Sequence, residues 1–222
     1  MSDRHKRVLM AGVTALLASW AVGLLALSAR DEPDANAGVA TAEAGGRTPF
    51  RGGALPAGVS GRAAPRFTLD DARAGRVDTR RLLGRPYVVT FLYVHCNDVC
   101  PLIGIELKHA VERLGPRGRD VTILAVSADP RGDTREAVRQ WLAKLRMPSN
   151  FHYLVGSDEQ LQPVWRSHYA GPQPRDNANS AHTASIWLID RKGRWRTKFS
   201  GGVPVAPADI AHDLRLLLDE PA

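Results

Sequence analysis

YVVTFLYVHCNDVCP (residues 87–101) decides the fold. From Tyr87 to Val94 the side chains form an unbroken run of β-branched, aromatic and aliphatic groups. Such a run reads as a strand buried on both faces, the kind found inside a parallel or mixed sheet. Cys96 and Cys100 follow at once. Pro101 stands in what would be the first turn of a helix, where its missing N–H is tolerated. Ile103, Leu107, Ala110, Val111 and Leu114 then recur at helical spacing. The two cysteines therefore mark a strand-to-helix junction, with Asn97 or Asp98 as the helix cap.

Working outward, the pattern repeats. Val121 to Ser127 reads as a second buried strand and Phe151 to Val155 as a third. Asp133 and Glu136 form a capping-box pattern ahead of Val138, Trp141, Leu142 and Leu145. Ser157 and Gln160 form another ahead of Leu161, Val164 and Trp165. Ser185–Asp190 and Trp195–Ser200 read as strands joined by the turn Asp190-Arg191-Lys192-Gly193. A last helix carries Ile210, Leu214, Leu217 and Leu218, and upstream Arg66–Leu69 and Gly75–Val77 suggest a short hairpin. Strands alternating with helices predict an α/β domain over residues 63–222, with a central mixed sheet covered on both faces. The closing hairpin plus helix makes the arrangement thioredoxin-like.

The N-terminal part has a different character. Val8 to Ser28 carries no charge, and its length suits one membrane-spanning helix. Arg4, Lys6 and Arg7 precede it; Arg30 follows it, but Asp31, Glu32 and Asp34 come directly after. That asymmetry predicts a cytoplasmic tail (1–7), a transmembrane anchor (8–28) and an exported remainder. A cleaved signal peptide is the alternative, but the run is long for one. Residues 29–62, rich in Ala, Gly, Pro and charge, read as a flexible linker. The formal net charge of +7 is scattered, with no dense basic stripe among aromatics, so no nucleic-acid partner is expected.

Chemistry concentrates at the cysteines, of which the chain has only two. A disulfide across so short a loop removes little chain entropy, so the pair reads as redox-active or metal-binding. At a helix N-terminus the dipole and free amides favour thiolate. Two thiolates one helical turn apart suit a soft ion such as Cu(I), whereas zinc usually wants four ligands. A third donor would come from one of seven histidines. His5 lies in the tail, and His109 and His212 lie on helices. His152 and His168 read as solvated or partly buried. His95 adjoins Cys96, but strand alternation points it away. His182 opens a strand after the polar stretch 171–180 and lies over the pair if that strand is central. The residues alone leave this choice open.

FLYVHCNDVCP (91–101), SADPRGDT (127–134), LVGSDEQL (154–161) and HTASIWLID (182–190) together resemble the Sco/SenC family of copper-handling proteins. The likeness runs from about residue 65 to the end, behind a similar anchor. It implies one copper per chain, as Cu(I) or Cu(II), held by Cys96, Cys100 and His182. It also implies a place in cytochrome c oxidase assembly, either delivering copper to the subunit with the CuA centre or keeping that centre's cysteines reduced. A donor protein would supply the copper. The implied setting is the inner (cytoplasmic) membrane, with the domain in the periplasm.

Two positions depart from the family pattern. Asn97 replaces the usual Pro, and Ala181 replaces the Asp that usually precedes the histidine. Asp176 is a candidate substitute for that Asp. Asp129 either approaches the site or caps the turn before Pro130. A metallochaperone without turnover is the leading reading, with a thiol–disulfide oxidoreductase as the alternative. A peroxidase-like enzyme would need a Thr and an Arg around its nucleophile, and Thr90 and Arg135 are the candidates.

Overall fold

The computed structural model describes residues 48–73, 75–172, 184–200 and 204–221. The expected tail and anchor (1–28) and His182 lie outside the described residues. Among the described residues no helix is long and apolar enough to cross a membrane.

The described residues hold seven strands: β1 (Thr68–Asp71), β2 (Arg76–Asp78), β3 (Tyr87–Leu92), β4 (Thr122–Ser127), β5 (Phe151–Val155), β6 (Ser185–Ile189) and β7 (Trp195–Ser200). They form one sheet in the order β2-β1-β5-β4-β3-β6-β7. β3, β4 and β5 are parallel, and the remaining pairs are antiparallel. Among the described residues four α-helices accompany them: α1 (Val99–Glu112), α2 (Arg135–Lys144), α3 (Asp158–Ser167) and α4 (Pro207–Asp219). The result is a mixed sheet with helices on both faces, as the alternation of patterns predicts.

Side-chain alternation along β3 splits the core in two. Val88 and Leu92 join one apolar cluster with residues of α1, α2 and α4. Tyr87, Val89 and Phe91 join the other with Leu161, Val164 and Trp165 of α3. All six β3 residues are buried, which is why the sequence shows an unbroken apolar run there rather than alternation.

Two local details differ from the sequence-based expectations, and a third agrees. β3 ends at Leu92, two residues early. The cap of α2 is Thr134, whose Oγ1 accepts the Ala137 N–H at 3.2 Å, and not Asp133. At α3 the Ser157/Gln160 box forms as expected, with Gln160 Oε1 accepting the Ser157 N–H at 2.9 Å.

The folded unit also takes in residues 49–62, which composition assigned to the linker; it begins at Pro49. Isolated bridges pair Gly53 with Lys198 and Ala63 with Arg194. Phe50 packs on the first cluster, and Leu55 and Val59 pack on the second. The fastening is polar. Asp213 of α4 is fully buried and accepts the Arg51 and Gly52 N–H groups, both at 2.8 Å. Gly52 has no room for a side chain, since a Cβ would lie 2.3 Å from Thr197 Oγ1.

Asp213→Ala leaves two backbone amides without their acceptor. We expect a stability loss of roughly 2–4 kcal/mol in urea unfolding. Trypsin should also cut after Arg51 faster than in the parent. Unchanged proteolysis at Arg51 would show that the segment is held by other contacts.

Candidate metal centre

β3 brings the chain to the site. Leu92, opposite Ser127, is the last residue of β3 paired to β4. Beyond it the chain turns, with the Cys96 N–H donating to the Tyr93 carbonyl at 3.3 Å. Val94 turns its N–H to Asp133 Oδ1 at 2.8 Å. The turn sets Cys96 Sγ over the start of α1, where it accepts the Cys100 N–H at 3.3 Å. Asp98 is the residue before the helix but makes no side-chain cap. The sulfur does what Asn97 or Asp98 was expected to do.

Both cysteines are free thiols, Cys96 half-buried and Cys100 buried. Their acidities diverge. The Cys96 thiol is pulled down to about 5. The largest cause is the Cys100 thiol donating to its sulfur. Burial opposes the shift, and the Cys100 and Asp98 amides and the Tyr93 hydroxyl add to it. Cys100 moves far up, because it is the donor in that bond, is buried, and faces the charges of Cys96 and Asp133. Tyr93 is pushed up to about 12, first by burial and then by its bond to Cys96. At neutral pH Cys96 is the thiolate and Cys100 holds the shared proton.

Two carboxylates attend the pair. Asp133 is buried, and burial pushes it up to about 6 despite bonds from Ser127, Val94 and Tyr153. Sequence reasoning placed it at a helix cap and missed this role. The only available signal was that Asp133 and Thr134 are both cap formers, so one of them was free for other work. Asp129 lies nearer the surface. A Cβ on Gly132 would sit 2.2 Å from Asp129 Oδ2 and 2.7 Å from His95 Nδ1. The bare glycine thus lets these two side chains converge one residue from Cys96. Asp129 thus lies beside His95, and its charge is felt at the Tyr93 hydroxyl.

The histidines separate clearly. His95 lies in the turn rather than in the strand, so the alternation argument does not govern it; it is exposed. His152 contacts buried Asp71 at 2.6 Å. His168, read as solvated or partly buried, is fully enclosed by Phe67, Phe91 and Trp195. That burial lowers it to about 4. His109 is exposed on α1, and His212 bonds Asp213 on α4. No group of three His, Cys, Asp or Glu residues able to hold a metal occurs among the described residues. A third donor to the cysteines is therefore not in view, and His182 lies outside. β6 runs antiparallel to β3, with Trp187 opposite Val89. It therefore enters the sheet at the end where β3 leaves it. Of the peroxidase candidates, Arg135 is committed to Asp70 and the Asp71 carbonyl. Thr90 Oγ1 is buried without a partner.

The family model described as SCO1/SenC matches residues 58–219. The chain belongs to the SCO1/SenC family. Protein SenC of Rhodobacter capsulatus is 32% identical over 130 residues, covering 57% of this chain and 58% of SenC. The chain thus spans less than two thirds of that relative's length. Among solved structures, Bradyrhizobium japonicum ScoI with copper bound is 28% identical with a TM-score of 0.59. The match covers 70% of this chain and 99% of ScoI. BsSco, described as a member of the Sco family of cytochrome c oxidase assembly proteins, superposes with a TM-score of 0.61 at 21% identity. It covers 71% of this chain and 94% of its own, and it confirms the fold.

The split between the two thiols can be read directly. In the reduced, metal-free protein, iodoacetamide alkylation of Cys96 should rise with a midpoint near pH 5. An ordinary thiol titrates at about 8.5. Because the folded value is depressed, the stability from this thiolate is complete above about pH 8.5 and is lost as pH falls through about 5. Cys100 should resist labelling throughout. A Cys96 midpoint near that of a free thiol would overturn the assignment.

Proposed function

We propose that this chain is an exported copper-handling protein of the Sco type. It is anchored in the cytoplasmic membrane by residues 8–28, with its domain in the periplasm. It takes one copper ion as cargo, as Cu(I) or Cu(II), through Cys96, Cys100 and His182. It serves assembly of the CuA centre of cytochrome c oxidase, receiving copper from a donor protein. The observation that carries this reading is the free Cys96/Cys100 pair on a helix N-terminus, with one sulfur already a thiolate. It occurs in a family whose member ScoI has been solved with copper.

The donor set suits the ion. Thiolates favour a soft cation, and a half-buried thiolate leaves a route for ligand exchange. His182 is supported by the resemblance and by the sheet end at which β6 begins. The charge pattern around residues 8–28 supports the anchor.

A second reading is favoured by the asymmetry of the pair. A thiolate at Cys96 beside a protonated, buried Cys100 is also the pattern of an attacking thiol and a resolving thiol. In that reaction Cys96 attacks a partner disulfide and releases one partner thiolate. Cys100 then loses its proton and attacks the Cys96 sulfur, releasing the second. Two electrons pass to the partner, and Cys96–Cys100 becomes a disulfide. The CuA-site cysteines are the partner thiols this reading names.

Copper titration of the full chain separates the readings. The reduced protein should bind one Cu(I), and the oxidised protein none. The double variant Cys96→Ser, Cys100→Ser should bind none, and stoichiometric binding by it would sink the proposal. His182→Ala should weaken Cu(II) binding and change its absorption spectrum; an unchanged spectrum would move the third ligand elsewhere. A reduced protein that ignores copper but reduces a disulfide peptide would establish the oxidoreductase instead.

A further inference from the structure

We infer that Asp133 is the positioning residue of the thiol pair, holding the Cys96 turn in register with Cys100. The inference rests on reading Cys96 and Cys100 as the working site.

Three donors from three strands' worth of chain converge on this one carboxylate. Oδ2 accepts the Ser127 hydroxyl at 2.6 Å and the Tyr153 hydroxyl at 3.0 Å. Oδ1 accepts the Val94 N–H at 2.8 Å. The first two partners are fixed. Ser127 ends β4 and Tyr153 sits inside β5, and neither is exposed. Ser127 is held again by its carbonyl, which accepts Trp165 Nε1–H at 2.9 Å. The Tyr153 ring packs edge-on against Trp141 at 5.7 Å. The Asp133 N–H itself closes onto the Asp129 carbonyl at 2.8 Å. The carboxylate is therefore a post built on β4 and β5.

The third bond carries the function. Sheet pairing between β3 and β4 ends at Leu92 and Ser127, so Val94 has left the β3–β4 ladder. Asp133 receives its N–H, two residues before Cys96. The post thus fixes the turn Tyr93–Cys96 and the placement of Cys96 Sγ over the Cys100 amide. Burying a carboxylate is costly unless every lone pair finds a donor. Here both oxygens do, and the chain leaving the sheet supplies one of those donors.

The test uses the full chain as Asp133→Ala and Asp133→Asn. Asp133→Ala should weaken Cu(I) binding about 10- to 100-fold, as loss of a ligand-orienting group does. It should also shift the equilibrium constant of the metal-free Cys96–Cys100 couple against glutathione by about tenfold or more. Asp133→Asn keeps an acceptor for Val94 and should return both values most of the way. If Asp133→Ala does not fold, the double variant Ser127→Ala, Tyr153→Phe strips two of the three donors and should move both values the same way. A folded variant with parental copper affinity and thiol equilibrium would overturn the inference, because a purely structural Asp133 would change only stability. A parent chain that binds no copper would sink the copper reading, while the thiol equilibrium would still decide the role of Asp133.

Discussion

The hydrogen bond from the Cys100 amide to Cys96 Sγ, 3.3 Å long, is the constraint around which the site is arranged. It requires the chain to leave β3, turn within four residues and start a helix with its first amides aimed back at the sulfur. β3 can deliver this because it is pinned on both sides, by β4 in parallel and β6 in antiparallel register. The helix can receive it because its buried stripe, including Ile103 and Leu107, locks it on the sheet. Movement of either element by an ångström would turn a cap into an unpaired sulfur.

That bond is one of several that shape the chemistry of the pair, the Cys100 thiol contributing most. The groups that lower Cys96 are hydrogen-bond donors: the Cys100 thiol, two amides and the Tyr93 hydroxyl. None of these is a Lys or Arg. A thiolate stabilised by neutral donors keeps its full negative charge for an incoming cation, whereas a thiolate paired with a fixed cation would have to give up that partner. The acidic groups nearby, Asp129 and Asp133, act in the same sense by leaving the pocket negative. Asp133 also helps keep the proton on Cys100. One sulfur is therefore ready and the other waits, which suits metal capture and thiol exchange alike.

Much of this was legible in the sequence, and the reasons are physical. A strand buried on both faces must be apolar throughout, so β3, β4 and β5 announced themselves. Cys96 and Cys100 were visible because chemistry at a strand-to-helix junction needs residues of special type at fixed spacing. The capping box at Ser157 and Gln160 was legible because it is made within four residues. The rest depended on contacts distant in sequence. Asp133 and Thr134 are adjacent cap formers, and only the approach of Val94, 39 residues upstream, decides which of them caps α2. The enclosure of His168 depends on Phe67 and Trp195, brought together by the sheet rather than by spacing. The choice of His182 over the other histidines came from family likeness alone.

The boundary at residue 49 shows the same limit from another side. Hydrophobic periodicity finds segments that pack through side chains, and residues 49–62 have few to offer. Besides Phe50, Leu55 and Val59, they are held through their backbone: by the Gly53–Lys198 bridge to β7, by the Gly61 and Arg62 bonds to the Trp195 backbone, and by the Asp213 carboxylate. Asp133 does at Val94 what Asp213 does at Arg51 and Gly52. In both places a buried carboxylate takes backbone N–H groups where the chain runs outside regular structure, because no neighbouring strand or helix is there to accept them. A buried acid written beside a cap former or inside an amphipathic helix looks ordinary in sequence. In this fold it marks where irregular chain is fastened, and at Asp133 the chain so fastened is the one that carries Cys96.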